Sequence, residues 1–117
     1  MSQKKEKVAD EVMKTVQQRL NESKDATKGW GKMVQQIFSD IGIGYRLKFA
    51  KDGTVTMEKV KASEIRTKDA AATVTVDVDT MKDLIDGKLP PMEAMGTGKI
   101  KVDGDMTALL KLLPAFG

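Results

Sequence analysis

GKLPPMEAMGTGKIKVDGDMTALLKL, residues 87–112, joins three glycine-punctuated turns, a short alternating strand and a leucine-rich helix, with almost no group able to do chemistry. Pro91 suits the first position of a helical turn, where no amide hydrogen bond is lost. Lys99 to Asp103 alternates as a strand with Ile100 and Val102 inward. Asp105 then caps a last helix with apolar positions Met106, Leu109, Leu110 and Leu113, which Pro114 stops. Gly96-Thr97-Gly98-Lys99 imitates part of a phosphate-binding loop. That loop needs glycine where Glu93 stands and Ser or Thr where Ile100 stands, and it feeds a helix, whereas this run feeds a strand. Met92, Met95 and Met106 cluster beside glycines that leave space, and flexible thioethers suit the wall of an apolar cavity.

Working outward, Ala71 to Val78 is the clearest strand, with Val74, Val76 and Val78 on one side and Thr73, Thr75 and Asp77 on the other. Asp79 reads as the N-cap of a short helix that buries Met81, Leu84 and Ile85, with Gly87 just past its end. Further upstream, Ile41, Ile43, Tyr45, Leu47 and Phe49 alternate with polar or small residues. Asp52-Gly53 supplies a hairpin turn into a partner strand over 54–60. The polar KASEIRTKD holds a short edge strand over 64–66. Val8, Val12, Met13, Val16 and Leu20 give a helix over 4–21, and Trp30, Met33, Val34, Ile37, Phe38 and Ile41 predict a second amphipathic helix. These elements describe one α+β domain over 1–117: a single mixed, mostly antiparallel sheet of four to five strands, covered on one face by helices.

Composition narrows the function. A chain of 117 residues buries roughly 65% of its unfolded surface, enough for one core. No apolar run approaches the ~18 residues of a membrane span, and no secretory signal opens the chain. The absence of His and Cys removes imidazole bases, thiolate nucleophiles and sulfur-based zinc sites. A calcium loop starting at Asp77 would put Met81 at a ligand position and Lys82 at the required glycine. Asp103 and Asp105 flank Gly104 as turn and cap residues. Of the +3 net charge, all lies in residues 1–32, which hold eight basic and five acidic groups. That segment reads as a solvated helix face, with transient contact to an anionic membrane surface or acidic partner as the functional alternative. The five aromatics are scattered toward a core, against nucleic-acid binding. The sequon at Asn21 fits no secreted context.

The ordered run Ala-Thr-Val-Thr-Val, Met-x-x-Leu-Ile-x-Gly-Lys-Leu, Pro91-x-x-Ala94-x-x-x-Gly98-Lys99-Ile100-Lys101-Val102-x-Gly104-Asp105-Met106 and Lys111-Leu112 resembles the C-terminal half of the sterol carrier protein type 2 domain. The match covers residues 70–113 in detail and 4–69 in the order of elements. The resemblance implies a five-stranded sheet and an apolar tunnel between sheet and helices that carries sterol, fatty acid or fatty acyl-CoA without catalysis or cofactor. It places Met92, Met95, Ile100, Met106, Leu109, Leu110 and Leu113 along the tunnel. The apolar faces read from periodicity add Phe38, Tyr45, Leu47 and Met81. Pro90, Gly96 and Leu109 depart from the family's usual residues, so ligand size does not carry over. The chain ends Ala-Phe-Gly without a peroxisomal address, and a cytoplasmic carrier is the expectation. The rival readings are an interaction or enzyme-accessory module with a collapsed pocket, and a lipid-metabolising enzyme working through Asp or Tyr45.

Overall fold

In the computed structural model, which describes residues 2–116, the apolar stripe of the first helix decides how the layers meet. Helix α1 (Ser2–Glu22) buries Ala9, Val12, Met13, Val16 and Leu20, spaced at three and four residues so that they share one face. The Val, Met and Leu side chains among them contribute about 1.5–3 kcal/mol each when fully buried. That face lies on a five-stranded sheet of β1 (Met33–Phe38), β2 (Ile43–Phe49), β3 (Val55–Lys61), β4 (Ala72–Val76) and β5 (Lys101–Gly104), ordered β3-β2-β1-β4-β5. Three pairings are antiparallel and β1–β4 is parallel, so the sheet is mixed. Helices α2 (Val78–Ile85), α3 (Pro91–Gly96) and α4 (Thr107–Leu112), with a 3-10 turn at Leu113–Ala115, complete the helical layer.

The register places Val34, Gln36, Phe38, Tyr45, Leu47, Phe49, Ala72, Val74 and Val76 on the helix-covered face. The other face carries Gln35, Arg46, Lys48, Thr73 and Thr75. The parallel β1–β4 pairing needs a crossover, and the segment from Lys61 to Ala71 makes it over this second face. Ile65 seats on Gly44, where an added Cβ would lie 2.1 Å from its Cδ1. Gln35 Nε2 donates to Arg66 O at 2.9 Å, and Arg46 donates to Glu64 O at 3.2 Å and to Glu58 Oε1 at 3.1 Å.

Four expectations change here. The predicted second helix over 30–41 is strand β1. Met33, Val34, Ile37 and Phe38 satisfy helical spacing, but the segment sits between β2 and β4 and gains hydrogen bonds on both edges, which override that periodicity and leave one glutamine on each face of the strand. Gly29 and Gly31, at φ +87° and +60°, turn the chain just before it. The edge strand over 64–66 is absent. Two 3-10 turns, Ala62–Glu64 and Thr67–Asp69, flank extended Ile65 and Arg66, and the carbonyls of Glu64 and Arg66 accept from the Arg46 and Gln35 side chains. The N-cap of α2 is Asp77, whose carboxylate accepts from Thr80 N at 3.0 Å; Asp79 lies in the first turn. Val78 thereby leaves the strand and enters the helix, fully buried. Finally, α4 buries Ala108, Leu109 and Leu112, whereas Met106, Leu110 and Leu113 face outward.

Polar side chains fasten the layers. Tyr45, buried beneath α1, donates its hydroxyl to Asp10, while Lys59 on β3 bridges Glu6 at 2.6 Å and Asp10 at 3.0 Å. Arg19 donates to Ile85 O at 2.6 Å and Ala115 O at 3.0 Å, tying α2 and the C-terminal turn to α1. Asn21 takes both backbone groups of Val55, accepting its N–H at 2.8 Å and donating to its C=O at 3.3 Å. These groups lie on the outer edge of β3, so the carboxamide stands in for a neighbouring strand.

Candidate functional site

The quoted stretch folds into two short helices separated by an edge strand. Pro91 opens α3, and Ala94 anchors it in the core while Met92 stands 70% exposed and Met95 half-buried. The helix closes through Gly98 N to Met95 O at 3.1 Å and Lys99 N to Ala94 O at 2.8 Å, which returns the chain to the sheet at buried Ile100. β5 ends at Gly104, φ +107°, where a Cβ would meet Ala71 O at 2.5 Å. The next amide, Asp105 N, donates to that carbonyl at 2.8 Å. Asp105 Oδ1 accepts from Thr107 N at 2.9 Å and starts α4, as expected of a cap.

Between α3 and α4 lies an open apolar cleft of about 220 Å³, lined by Met92, Met95, Met106, Thr107, Leu109 and Leu110. Thr107 is its only polar side chain. The large hydrophobic residues exposed on the described surface are Met92, Met106, Leu110 and Leu113, all on or beside this cleft. An apolar patch concentrated in one place marks a binding surface, whereas scattered exposed leucines do not. Two other depressions differ in character. One of about 400 Å³ is lined by Lys32, Met33, Lys68, Asp69, Ala70, Ala71 and Asp105, and one of about 170 Å³ lies between α1 and α2 around Val8, Glu11 and Lys82. Charged groups line both.

The predicted site residues divide. Met92, Met95, Met106, Leu109 and Leu110 come together at the cleft. Leu113 is exposed just beyond it, and Ile100, Met81, Phe38, Tyr45 and Leu47 are core residues, none more than 5% exposed. Apolar periodicity concealed this split, because it marks a face as apolar without showing whether sheet, helix or a cleft covers it. Two polar residues escaped notice. Thr107 carries no sequence signal; Gln36 does, as half of a Gln-Gln pair inside an apolar run. Gln36 is 2% exposed on the covered face, opposite Tyr45 and Val74, with Nε2 donating to Ile37 O at 3.3 Å.

Asp105, beside the cleft, is held below its ordinary value by hydrogen bonds from Thr107, and a second titratable constellation, around Tyr45, sits beneath α1. Burial, then the Asp10 carboxylate, pushes the Tyr45 hydroxyl far up, so it remains a proton donor. Burial alone would raise Asp10, but hydrogen bonds from Tyr45 and Lys59 outweigh it and hold the carboxyl below its ordinary value. The Glu6 hydrogen bond raises Lys59. This constellation pins α1 to the sheet and presents no unpartnered nucleophile. Among the described residues no helix is long and apolar enough to cross a membrane.

An α+β domain with a five-stranded mixed sheet, one helical layer and an apolar cleft between two short helices defines the class. The model of the SCP-2 sterol transfer family matches residues 13–117, and the chain belongs to that family. Solved structures share the fold. A sterol carrier protein-2 from Aedes aegypti in complex with the C16 fatty acid palmitate is 22% identical, with TM-score 0.66, over 94% of this chain and 97% of that one. A crystal structure of sterol carrier protein 2 is 19% identical, with TM-score 0.65, over 89% of this chain and 86% of that one. A stereoselective inverting sec-alkylsulfatase from Pseudomonas sp. is 22% identical, with TM-score 0.66, over 80% of this chain; the chain spans only 14% of the enzyme's length. Comparison with curated proteins by sequence returns no match.

Proposed function

We propose that the protein binds and transfers lipids without catalysis, taking the acyl chain of a fatty acid, fatty acyl-CoA or similarly apolar molecule into the cleft between α3 and α4. The observation that carries this reading is that three of the exposed large hydrophobic residues, Met92, Met106 and Leu110, line one apolar cavity. At about 220 Å³ the cleft is smaller than the ~300–1,000 Å³ of typical ligand pockets. A full chain therefore displaces the flexible side chains of Met92 and Met106 and reaches toward the layer that holds Ile100, Met81 and Gln36. Exposed Lys88, Lys99 and Lys101 are available to an anionic head group at the surface. Loading from a membrane uses the same mouth, because the apolar residues of α1 are spent on the core.

Affinity comes from chain burial at about 0.8 kcal/mol per methylene, so each added pair of methylenes tightens binding roughly tenfold until the cavity is filled. Native mass spectrometry of the freshly purified protein, followed by lipid identification, is the direct test. Leu110→Trp and Met106→Asp alter exposed side chains, and each is expected to abolish fatty-acid uptake while leaving thermal unfolding cooperative. Unchanged uptake in both would remove the cleft assignment. A second reading, an accessory module acting beside a lipid-metabolising enzyme, draws support from the alkylsulfatase that contains this fold as a small part. It predicts no chain-length-dependent binding by the isolated chain.

A further inference from the structure

Three of the six residues lining the apolar cleft are methionines, and two of them, Met92 and Met106, are 70% and 48% exposed. Met13 and Met81, by contrast, are sealed in the core at 0% and 2%. A thioether is a two-electron reductant, and its sulfoxide is polar and chiral where the thioether was apolar. A lipid that enters this cleft lays its chain against those sulfur atoms. We propose that the cleft is a site of reaction with lipid hydroperoxides, in which Met92, Met95 and Met106 reduce the bound hydroperoxide and are themselves converted to sulfoxides. The inference rests on the cleft's reading as a lipid site.

The step balances. The sulfur lone pair attacks the distal oxygen of the hydroperoxide, the O–O bond breaks, and an S–O bond forms. The proton of the distal hydroxyl passes to the departing alkoxide, so one hydroperoxide yields one alcohol and one sulfoxide. The sulfur loses two electrons and the O–O bond takes them up. Holding the peroxide against the thioether replaces a bimolecular encounter with a local one, so a bound lipid hydroperoxide reacts faster than free peroxide at the same concentration. Each sulfoxide puts a strong acceptor into a wall whose only other polar side chain is Thr107, and the oxidised cleft binds acyl chains more weakly.

The test uses the full chain with three probes: linoleic acid, linoleic acid hydroperoxide and hydrogen peroxide. Linoleic acid binding is measured first, and its absence would overturn the lipid reading and this proposal together. Given binding, peptide mass spectrometry after exposure to the lipid hydroperoxide is expected to find sulfoxide at Met92, Met95 and Met106, with Met13 and Met81 unmodified and one hydroxy acid formed per sulfoxide. The rate is expected to exceed that with equimolar hydrogen peroxide by about tenfold or more, and excess linoleic acid is expected to suppress it. Equal rates with the two peroxides, or no protection by linoleic acid, would leave the lipid reading standing and overturn the proposal. A M92L/M95L/M106L variant, scored as hydroxy acid formed per linoleic acid bound, is expected to lose reduction. Retained reduction in that variant also overturns it.

Discussion

Gly104 and Gly96 lie eight residues apart and answer the same substitution oppositely. Gly104 has φ +107° and its missing Cβ would stand 2.5 Å from Ala71 O, whereas a Cβ at Gly96 meets nothing within 4 Å. Gly104→Ala is expected to cost about 1–3 kcal/mol, and Gly96→Ala to be neutral or slightly stabilising through a stiffer unfolded chain; denaturant unfolding of the pair measures both. Tyr45 offers a second check at this scale. Tyr45→Phe removes a hydrogen bond to a carboxylate, worth about 1.5–3 kcal/mol. Asp10 is held below its unfolded value of ~3.9. Its contribution is therefore complete above pH ~4–5 and lost as pH falls through the lower folded value. The gap in stability between wild type and Tyr45→Phe is expected to be widest near pH 7 and to narrow below pH ~4, as followed by thermal melts across pH.

Among elements, α2 separates a cap from a neighbour of the same chemistry. Both Asp77 and Asp79 precede the apolar face of the helix, and only Asp77 bonds to Thr80 N. Burial would raise its pKa, but the Thr80 side-chain and backbone hydrogen bonds outweigh it and keep the carboxylate charged. Asp77→Ala is expected to cost about 1 kcal/mol, and Asp79→Ala only the few tenths owed to the helix dipole. Equal losses in chemical denaturation would return the cap to Asp79. The hairpin, α1, the cap at Asp105 and the helix start at Pro91 were all legible, because each has a local cause in turn chemistry, one apolar stripe or a fixed φ. β1 was not. Its apolar residues follow the helical period, and what selects the strand is hydrogen bonding to β2 and to β4, the latter 38 residues on at Gln36↔Val74.

For the whole molecule, Arg19 is the residue on which the helical layer closes. Its guanidinium holds carbonyls at residues 85 and 115, far apart in sequence, so one side chain links α1, α2 and the C-terminal turn. Arg19→Met keeps the apolar stem and leaves both carbonyls without that donor. It is expected to lower Tm by several degrees and to speed hydrogen exchange in α2 and residues 107–116, with little change in β1 and β2. Uniform acceleration throughout the chain would show that Arg19 supports the core in general and not the closure. The cleft belongs to this scale too. Met92, Met95, Met106, Leu109 and Leu110 were named as site residues from the sequence, while Ile100, Met81, Phe38, Tyr45 and Leu47 were named with them and lie in the core.

By itself the sequence determined the class of fold, the hairpin, the turns of the C-terminal run and the family, since each follows from residues near one another in the chain. It also determined which side chains are apolar enough for a lipid to touch. Only the tertiary structure decided that residues 33–38 are a strand, that Asp77 caps α2, and that Met106 and Leu110 line a cleft while Ile100 and Leu112 fill the core. The reason is physical. Apolar surface is driven out of water wherever it lies, but whether it is covered by sheet, by helix or by a ligand depends on neighbours that the local chain does not contain.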